Sequence, residues 1–107
     1  MTNMRTIVET EPFKRVVDDY FPKREDFEEL KTFLAHFPFA GNKIPKGEGT
    51  RKLRWPAKLK GAGKSGGYRI IYLYDSNEDE VWLLSIYAKS VTENVDSKKL
   101  KELKKHK

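Results

Sequence analysis

The stretch at residues 68–89 reads YRIIYLYDSNEDEVWLLSIYAK and predicts the centre of a β-sheet. Its first seven residues form an apolar and aromatic run that only Arg69 interrupts, which is typical of a central strand. The turn-forming residues SNED follow, and EVWLLSIYAK then predicts a second strand paired with the first as a hairpin. Alternation along this second strand predicts one side with Ser85, Tyr87 and Lys89, and an opposite side with Trp82, Leu84 and Ile86.

Another strand and a basic loop precede this hairpin. RKLRW, residues 51–55, predicts a strand with Leu53 and Trp55 on one side, Lys52 and Arg54 on the other, and an end at Pro56. The loop PAKLKGAGKSGG, residues 56–67, is predicted to be flexible and basic. Upstream of this strand, GNKIPKGEGT, residues 41–50, predicts an ordered loop with little regular structure.

Helices are predicted on both sides of these strands. After a short strand at residues 5–9, PFKRVVDDYF predicts a helix with an apolar face formed by Phe13, Val16, Val17, Tyr20 and Phe21. A second helix is predicted from about Pro22 to just before Pro38, with an apolar side formed by Phe27, Leu30, Leu34 and Phe37. A short, loosely docked helix is predicted from about Ser97, since only two of its residues are apolar.

This order of elements predicts an α+β domain. A helical hairpin should pack on one face of a mostly antiparallel sheet of about four strands, and the other face should stay partly open. With 107 residues and 37% apolar content, the chain at residues 1–107 predicts a single small domain. It contains no cysteine, apolar leader or long apolar segment, which favours a soluble, cytoplasmic protein.

The net charge of +6 is concentrated in one third of the chain. Residues 41–74 contain nine basic residues and one acidic residue, whereas residues 1–40 and 75–107 are slightly acidic and neutral, respectively. Such a one-signed stretch repels itself unless a polyanion neutralises it, and nucleic acid is the commonest polyanion in the cytosol. A flexible, solvated basic loop is the alternative interpretation.

A cationic cleft with one phenol is predicted on the open face of the sheet. Its members are Lys52, Arg54, Arg69, Tyr87 and Lys89. Cleavage of RNA by its own 2′-hydroxyl requires a base, stabilisation of the phosphorane and an acid for the leaving 5′-oxygen. Guanidinium and ammonium groups can stabilise the phosphorane without a metal or cofactor, and a lysine beside other cations could act as the base. An intramolecular salt bridge is the alternative role for Arg69.

Other chemistries have weaker signatures. Gly63, Lys64 and Ser65 match the end of a phosphate-binding P-loop, but Lys58 stands where that pattern needs another glycine, and a strand follows. His36 and His106 are too isolated to predict a histidine pair. The acidic residues predict solvated helix and turn positions and no metal site, and the tyrosines of residues 68–74 are more typical of packing than of base stacking.

Four segments together resemble the RelE-like toxins of bacterial type II toxin–antitoxin systems, and within them the HigB-like branch. They are GEGTRKLRW (47–55), GKSGGYRIIYLYD (63–75), LLSIYAKS (83–90) and ENVDSKKLKEL (93–103). The resemblance implies a RelE-like, microbial-RNase-type fold. It also implies a metal-independent endoribonuclease that cuts mRNA in the ribosomal A site and so inhibits translation, until a cognate antitoxin, a HigA-like helix-turn-helix protein, blocks it.

The resemblance also implies roles for individual residues. Lys52 and Arg54 match the basic pair of a strand, with Lys52 as the base; Arg69 matches the arginine at the scissile phosphate, and Lys89 a basic residue at the end of the last strand. Some relatives place a tyrosine after that strand, whereas SVTENV, residues 90–95, has none, so Tyr87 takes this role or the role is absent. Contacts with ribosomal RNA or the RNA backbone are expected from Arg51, Lys58, Lys60 and Lys64.

Two further function classes stay open. The same superfamily contains ParE-like toxins, which poison DNA gyrase and need no cationic phosphate cleft. The chain could also be a non-catalytic RNA-binding module. The basic residues favour the ribonuclease over the gyrase inhibitor.

Overall fold

The computed structural model describes residues 4–56, 67–88 and 97–106, which form an α+β fold. Its elements are β1 (Thr6–Glu9), α1 (Glu11–Tyr20), α2 (Arg24–His36), β2 (Asn42–Lys43), β3 (Thr50–Trp55), β4 (Tyr68–Asp75), β5 (Glu80–Ala88) and α3 (Ser97–Lys104). The predicted order of helices and strands is confirmed. The two-residue strand β2 was not predicted, because its segment was interpreted as a loop.

The five strands form one sheet in the order β1-β5-β4-β3-β2. Strand β1 runs parallel to β5 at one edge, and the other neighbouring strands are antiparallel. The predicted hairpin of β4 and β5 therefore lies at the centre of the sheet, as its apolar sequence indicates. The α+β class and the mostly antiparallel sheet are confirmed.

Helices α1 and α2 cover one face of this sheet. Phe13 and Val17 of α1 and Leu30 and Leu34 of α2 are buried in the core cluster between the helices and the sheet. The sheet contributes to that cluster a set of inward-facing side chains: Leu53, Trp55, Tyr68, Ile70, Tyr72, Val81, Leu83 and Ile86. The hydrophobic stripe of α1 predicted from the sequence thus forms the core.

The predicted alternation along β5 is wrong at its centre, because β5 contains a bulge. Ile71 of β4 pairs with Ser85, but the next residue of β4, Tyr72, pairs with Leu83, so Leu84 is an extra residue. The extra residue shifts the alternation by one position. Trp82 and Leu84 consequently belong to the same face as Tyr87, not to the opposite one.

The second sheet face is partly covered by α3, which is more firmly docked than predicted. Leu100 and Leu103 of α3 are 1% and 4% exposed and pack with Ile71, Leu84 and Tyr87. At the end of α3, the Lys104 ammonium donates a hydrogen bond of 2.9 Å to the Glu48 carbonyl oxygen. Two buried leucines and this polar contact are sufficient to fix a short helix on the sheet.

We expect Leu100→Ala to lower the free energy of unfolding by about 2–3 kcal/mol, because it removes a fully buried side chain at the α3 interface. Urea denaturation followed by circular dichroism measures this change. Lys101→Ala, at an exposed position of the same helix, is the matched control and should change stability by less than about 0.5 kcal/mol. Equal effects of the two variants would contradict the docking of α3.

The aromatic stripe of α2 ends earlier than predicted. The helix stops at His36, and Phe37 adopts a non-helical conformation with φ −127° and ψ 67°. Its side chain is 58% exposed, so Phe37 is not a core residue as predicted. Within the described part of the chain, no helix has the length and apolar character that crossing a membrane requires.

Candidate functional site

Strands β3, β4 and β5 bring the predicted basic residues onto one face of the sheet. Arg54 lies directly opposite Arg69, and Arg69 lies directly opposite Tyr87, so these three form a continuous row across the strands. Lys52 lies in the neighbouring row, opposite Ile71. Directly paired residues point to the same face, with Cβ atoms about 5 Å apart. We call Lys52, Arg54, Arg69 and Tyr87 the basic face.

The basic face places like charges next to each other. Two arginines directly opposite in an antiparallel pair repel each other, which costs stability. No described carboxylate forms an ion pair with Lys52 or Arg54, and Arg54 is exposed to solvent. Arg69 is half-buried, and its Nη1 donates a long hydrogen bond of 3.4 Å to the Tyr68 carbonyl oxygen. This arrangement is typical of a site that receives an anion.

Tyr87 is the buried member of the basic face. Its side chain is only 7% exposed, and its hydroxyl is buried without a hydrogen-bond partner among the described residues. Burial raises the pKa of the Tyr87 phenol, and the nearby Arg69 guanidinium partly offsets that rise. The phenol therefore stays protonated near neutral pH, where it can donate a proton or a hydrogen bond but cannot act as a base.

We expect Tyr87→Phe to leave the free energy of unfolding within about 0.5 kcal/mol of wild type, or to raise it slightly, because the lost hydroxyl has no described partner. The contrasting variant is Tyr72→Phe. The Tyr72 hydroxyl donates to the Pro38 carbonyl and accepts from the Gly41 N–H, each at 2.8 Å, so its removal should cost about 1–3 kcal/mol. Urea denaturation compares the two; a larger loss for Tyr87→Phe would contradict the structure.

Arg51 is not brought together with the other basic residues. It lies opposite Tyr72 of β4, on the face of the sheet that α1 and α2 cover. Its Nη1 donates to the Gly41 carbonyl oxygen at 2.8 Å and to that of Phe39 at 3.4 Å. Alternation along β3 already separates Arg51 from Lys52 and Arg54, so the sequence contained the signal for this placement.

Four predicted site residues lie outside the described residues: Lys58, Lys60, Lys64 and Lys89. The loop that holds three of them joins β3 to β4, at the end of the sheet where Arg54 and Arg69 lie. The described chain resumes at Gly67, whose backbone has a positive φ of 71°. A Cβ there would collide with the Trp55 carbonyl oxygen and lie 3.2 Å from the Pro56 Cα, so glycine is required where β4 begins.

The predicted roles of the tyrosines and acidic residues can be compared with the structure. Tyr68 and Tyr72 are buried in the core, in agreement with packing and against base stacking. Within residues 4–56, 67–88 and 97–106, no three histidine or carboxylate side chains form a group that could hold a metal ion. What the sequence did not indicate is that α3 borders the basic face and packs against Tyr87.

No protein-family model matches the sequence. The fold, however, is similar to that of a solved structure of the E. coli toxin RelE, a double arginine-to-alanine mutant in the free state. The two superpose with a TM-score of 0.54 over 96% of this chain and 93% of that one. The chain has a RelE-like fold. At 16% sequence identity, this similarity concerns the fold, and the RelE-like topology predicted from the four segments is thereby confirmed.

Proposed function

We propose that this chain is the toxin of a type II toxin–antitoxin system and an endoribonuclease that cuts mRNA on the ribosome. The single observation that carries the proposal is the row of Arg54, Arg69 and Tyr87 with Lys52 beside it, on one face of a RelE-like sheet. Two opposed arginines and the lysine-rich sequence of residues 56–67 favour RNA as the anion. On the basis of the four sequence segments described above, we assign the chain to the HigB-like branch and its inhibitor to the HigA-like helix-turn-helix proteins.

The proposed chemistry uses the RNA's own 2′-hydroxyl as the nucleophile. The Lys52 amine accepts the proton of that hydroxyl, and the oxygen attacks the adjacent phosphorus. Arg54 and Arg69 stabilise the extra negative charge of the phosphorane. The bond from phosphorus to the 5′-oxygen then breaks, which yields a 2′,3′-cyclic phosphate and a 5′-hydroxyl end after the leaving oxygen receives a proton.

Tyr87 and Lys89 are the candidates for the group that protonates the leaving oxygen. The protonated state of the Tyr87 phenol suits a donor, and Tyr87 lies opposite Arg69, but its hydroxyl is buried, so it would reach the leaving oxygen only after a local movement exposes it. Arg51, Lys58, Lys60 and Lys64 would contact ribosomal RNA or the RNA backbone. For Arg51 this contact would be made from the other face of the sheet. No step of this reaction requires a metal or another cofactor, because cationic side chains stabilise the charge.

The proposal is tested by expressing the chain in a bacterial host and mapping the 5′ ends of its messengers. We expect growth arrest with new mRNA ends that follow the reading frame and disappear when translation is blocked. Intact messengers with gyrase-dependent DNA damage would instead assign the chain to the ParE-like toxins. Ribosome binding with intact messengers and intact DNA would indicate a non-catalytic RNA-binding module.

A further inference from the structure

A concave aromatic surface lies far from the basic face, where α2 ends and the chain turns toward β2. The cavity has a volume of about 440 Å³, and its lining includes Arg5, Phe33, His36, Phe37 and Phe39. We call this site the aromatic pocket. Its neighbours Arg51 and Tyr74 lie on the face of the sheet opposite to Lys52, Arg54 and Arg69. The proposed catalytic residues therefore do not border it, whereas the RNA contact proposed for Arg51 would compete with a ligand there.

The aromatic pocket exposes two large rings that are nevertheless held in place. Phe37 and Phe39 are 58% and 62% exposed. The centres of the Phe37 and Phe33 rings lie 5.2 Å apart. The Phe39 ring packs edge-on against the Tyr74 ring, with 5.2 Å between the ring centres. The backbone between them is fixed by the Tyr72 hydroxyl, which donates to the Pro38 carbonyl at 2.8 Å. A preformed, exposed apolar surface of this kind is typical of an interaction site.

The rim of the aromatic pocket has an uncompensated positive charge. The Arg51 guanidinium lies 5.0 Å from the centre of the Phe39 ring, and the contacts described for it go to carbonyl oxygens, with no carboxylate among the described residues. The described lining of the pocket contains no carboxylate, and Asp79, which contacts the lining Arg5, is paired with it at 3.3 Å. An incoming carboxylate would find a cation next to an apolar cavity.

We propose that the aromatic pocket docks a segment of a partner protein that inserts a large apolar side chain and places a carboxylate against Arg51. Aromatic and arginine side chains dominate the binding energy of protein interfaces, and this site combines both. The cavity is lined mostly by aromatic and other apolar side chains, which suits an apolar side chain of a partner. Nucleotide bases instead stack on flat, accessible ring faces in a basic groove. The proposal does not depend on the proposed ribonuclease function.

Selection from a phage-displayed library of random 12-residue peptides on the full chain tests this proposal. We expect enriched peptides to share one large apolar residue flanked by Asp or Glu. Their affinity should fall at least tenfold for the Phe37→Ser, Phe39→Ser double variant, whose melting temperature should fall by only a few degrees because both rings are largely exposed. The Lys14→Ser, Arg15→Ser variant, altered at exposed positions of α1, is the control and should bind them unchanged.

The contribution of charge is tested with the same peptides. Changing the peptide carboxylate to an amide and Arg51 to Gln should each weaken binding, and the two changes together should cost less than their sum. Basic consensus peptides, no enrichment, or equal binding to the double variant would overturn the proposal. Loss of single-stranded RNA binding in the double variant would also overturn it, because the occupant would then be RNA. A wild-type dimer that the double variant no longer forms would do the same, because the occupant would then be a second copy of the chain.

Discussion

Replacing Arg69 with alanine should lower the rate of mRNA cleavage by about 10²–10³-fold, the usual loss when one preorganised donor to a transition-state charge is removed. Arg69 occupies the centre of the basic face, between Arg54 on one side and Tyr87 on the other, so the phosphorane would contact it most closely. The variant also removes the repulsion with Arg54, and its melting temperature shows whether the fold is intact. Single-turnover cleavage of a messenger on programmed ribosomes measures the rate.

The matched control is Arg15→Ala, which removes an exposed arginine of α1 on the other side of the sheet. It lowers the net charge by the same amount and should leave the cleavage rate unchanged. Binding of each variant to ribosomes separates catalysis from affinity. If Arg69→Ala lost ribosome binding and cleavage in equal proportion, Arg69 would serve binding and the catalytic assignment would be wrong.

Replacing Gly67 with alanine should destabilise the fold by about 3 kcal/mol or more. The backbone at Gly67 has a φ of 71°, and a Cβ would collide with the carbonyl oxygen of Trp55. A residue with a Cβ destabilises the fold by about 1–2 kcal/mol in this conformation, and the collision with backbone atoms adds to that cost. For a domain of this size the melting temperature should fall by more than about 10 °C.

Gly49→Ala separates the two contributions to this loss. Gly49 also has a positive φ, 91°, but a Cβ there would meet only Leu73 Cδ1 at 3.4 Å, an ordinary contact. Its cost should therefore be limited to the backbone conformation, about 1–2 kcal/mol. Thermal unfolding of both variants gives the difference. If Gly49→Ala were as destabilising as Gly67→Ala, the approach of Trp55 to Gly67 would be looser than described.

Much of the fold and the members of the basic face could be predicted from local sequence patterns. The apolar run of β4 and the stripe of α1 are strong signals because each reports burial directly. The single charge within YRIIYLY identified Arg69, and alternation in β3 placed Lys52 and Arg54 on the same side of their strand. These are statements about one segment at a time, which is why the sequence sufficed for them.

The features that depend on pairing between segments could not be predicted. The bulge at Leu84 is defined by its partner strand, so alternation along β5 alone gave the wrong sides for Trp82 and Leu84. The docking of α3 depends on the apolar surface that this bulge provides, since its own two leucines are a weak signal. The exposed position of Phe37 results from the end of α2 at His36, and helix ends are the least defined part of a periodic pattern.

The extra residue in β5 also limits how this chain can change in length. Before Leu84, the odd-numbered residues of β5, such as Leu83, face the helical hairpin. After Leu84, the even-numbered residues, such as Ile86, face it. Deletion of Leu84 would remove the bulge and leave the pairs on both sides of it unchanged, so Ile86 would stay in the core and Tyr87 on the basic face. Insertion of one residue into a regular half of β5 would instead exchange the two faces beyond it, whereas the turn at residues 76–79 can vary in length without exchanging them.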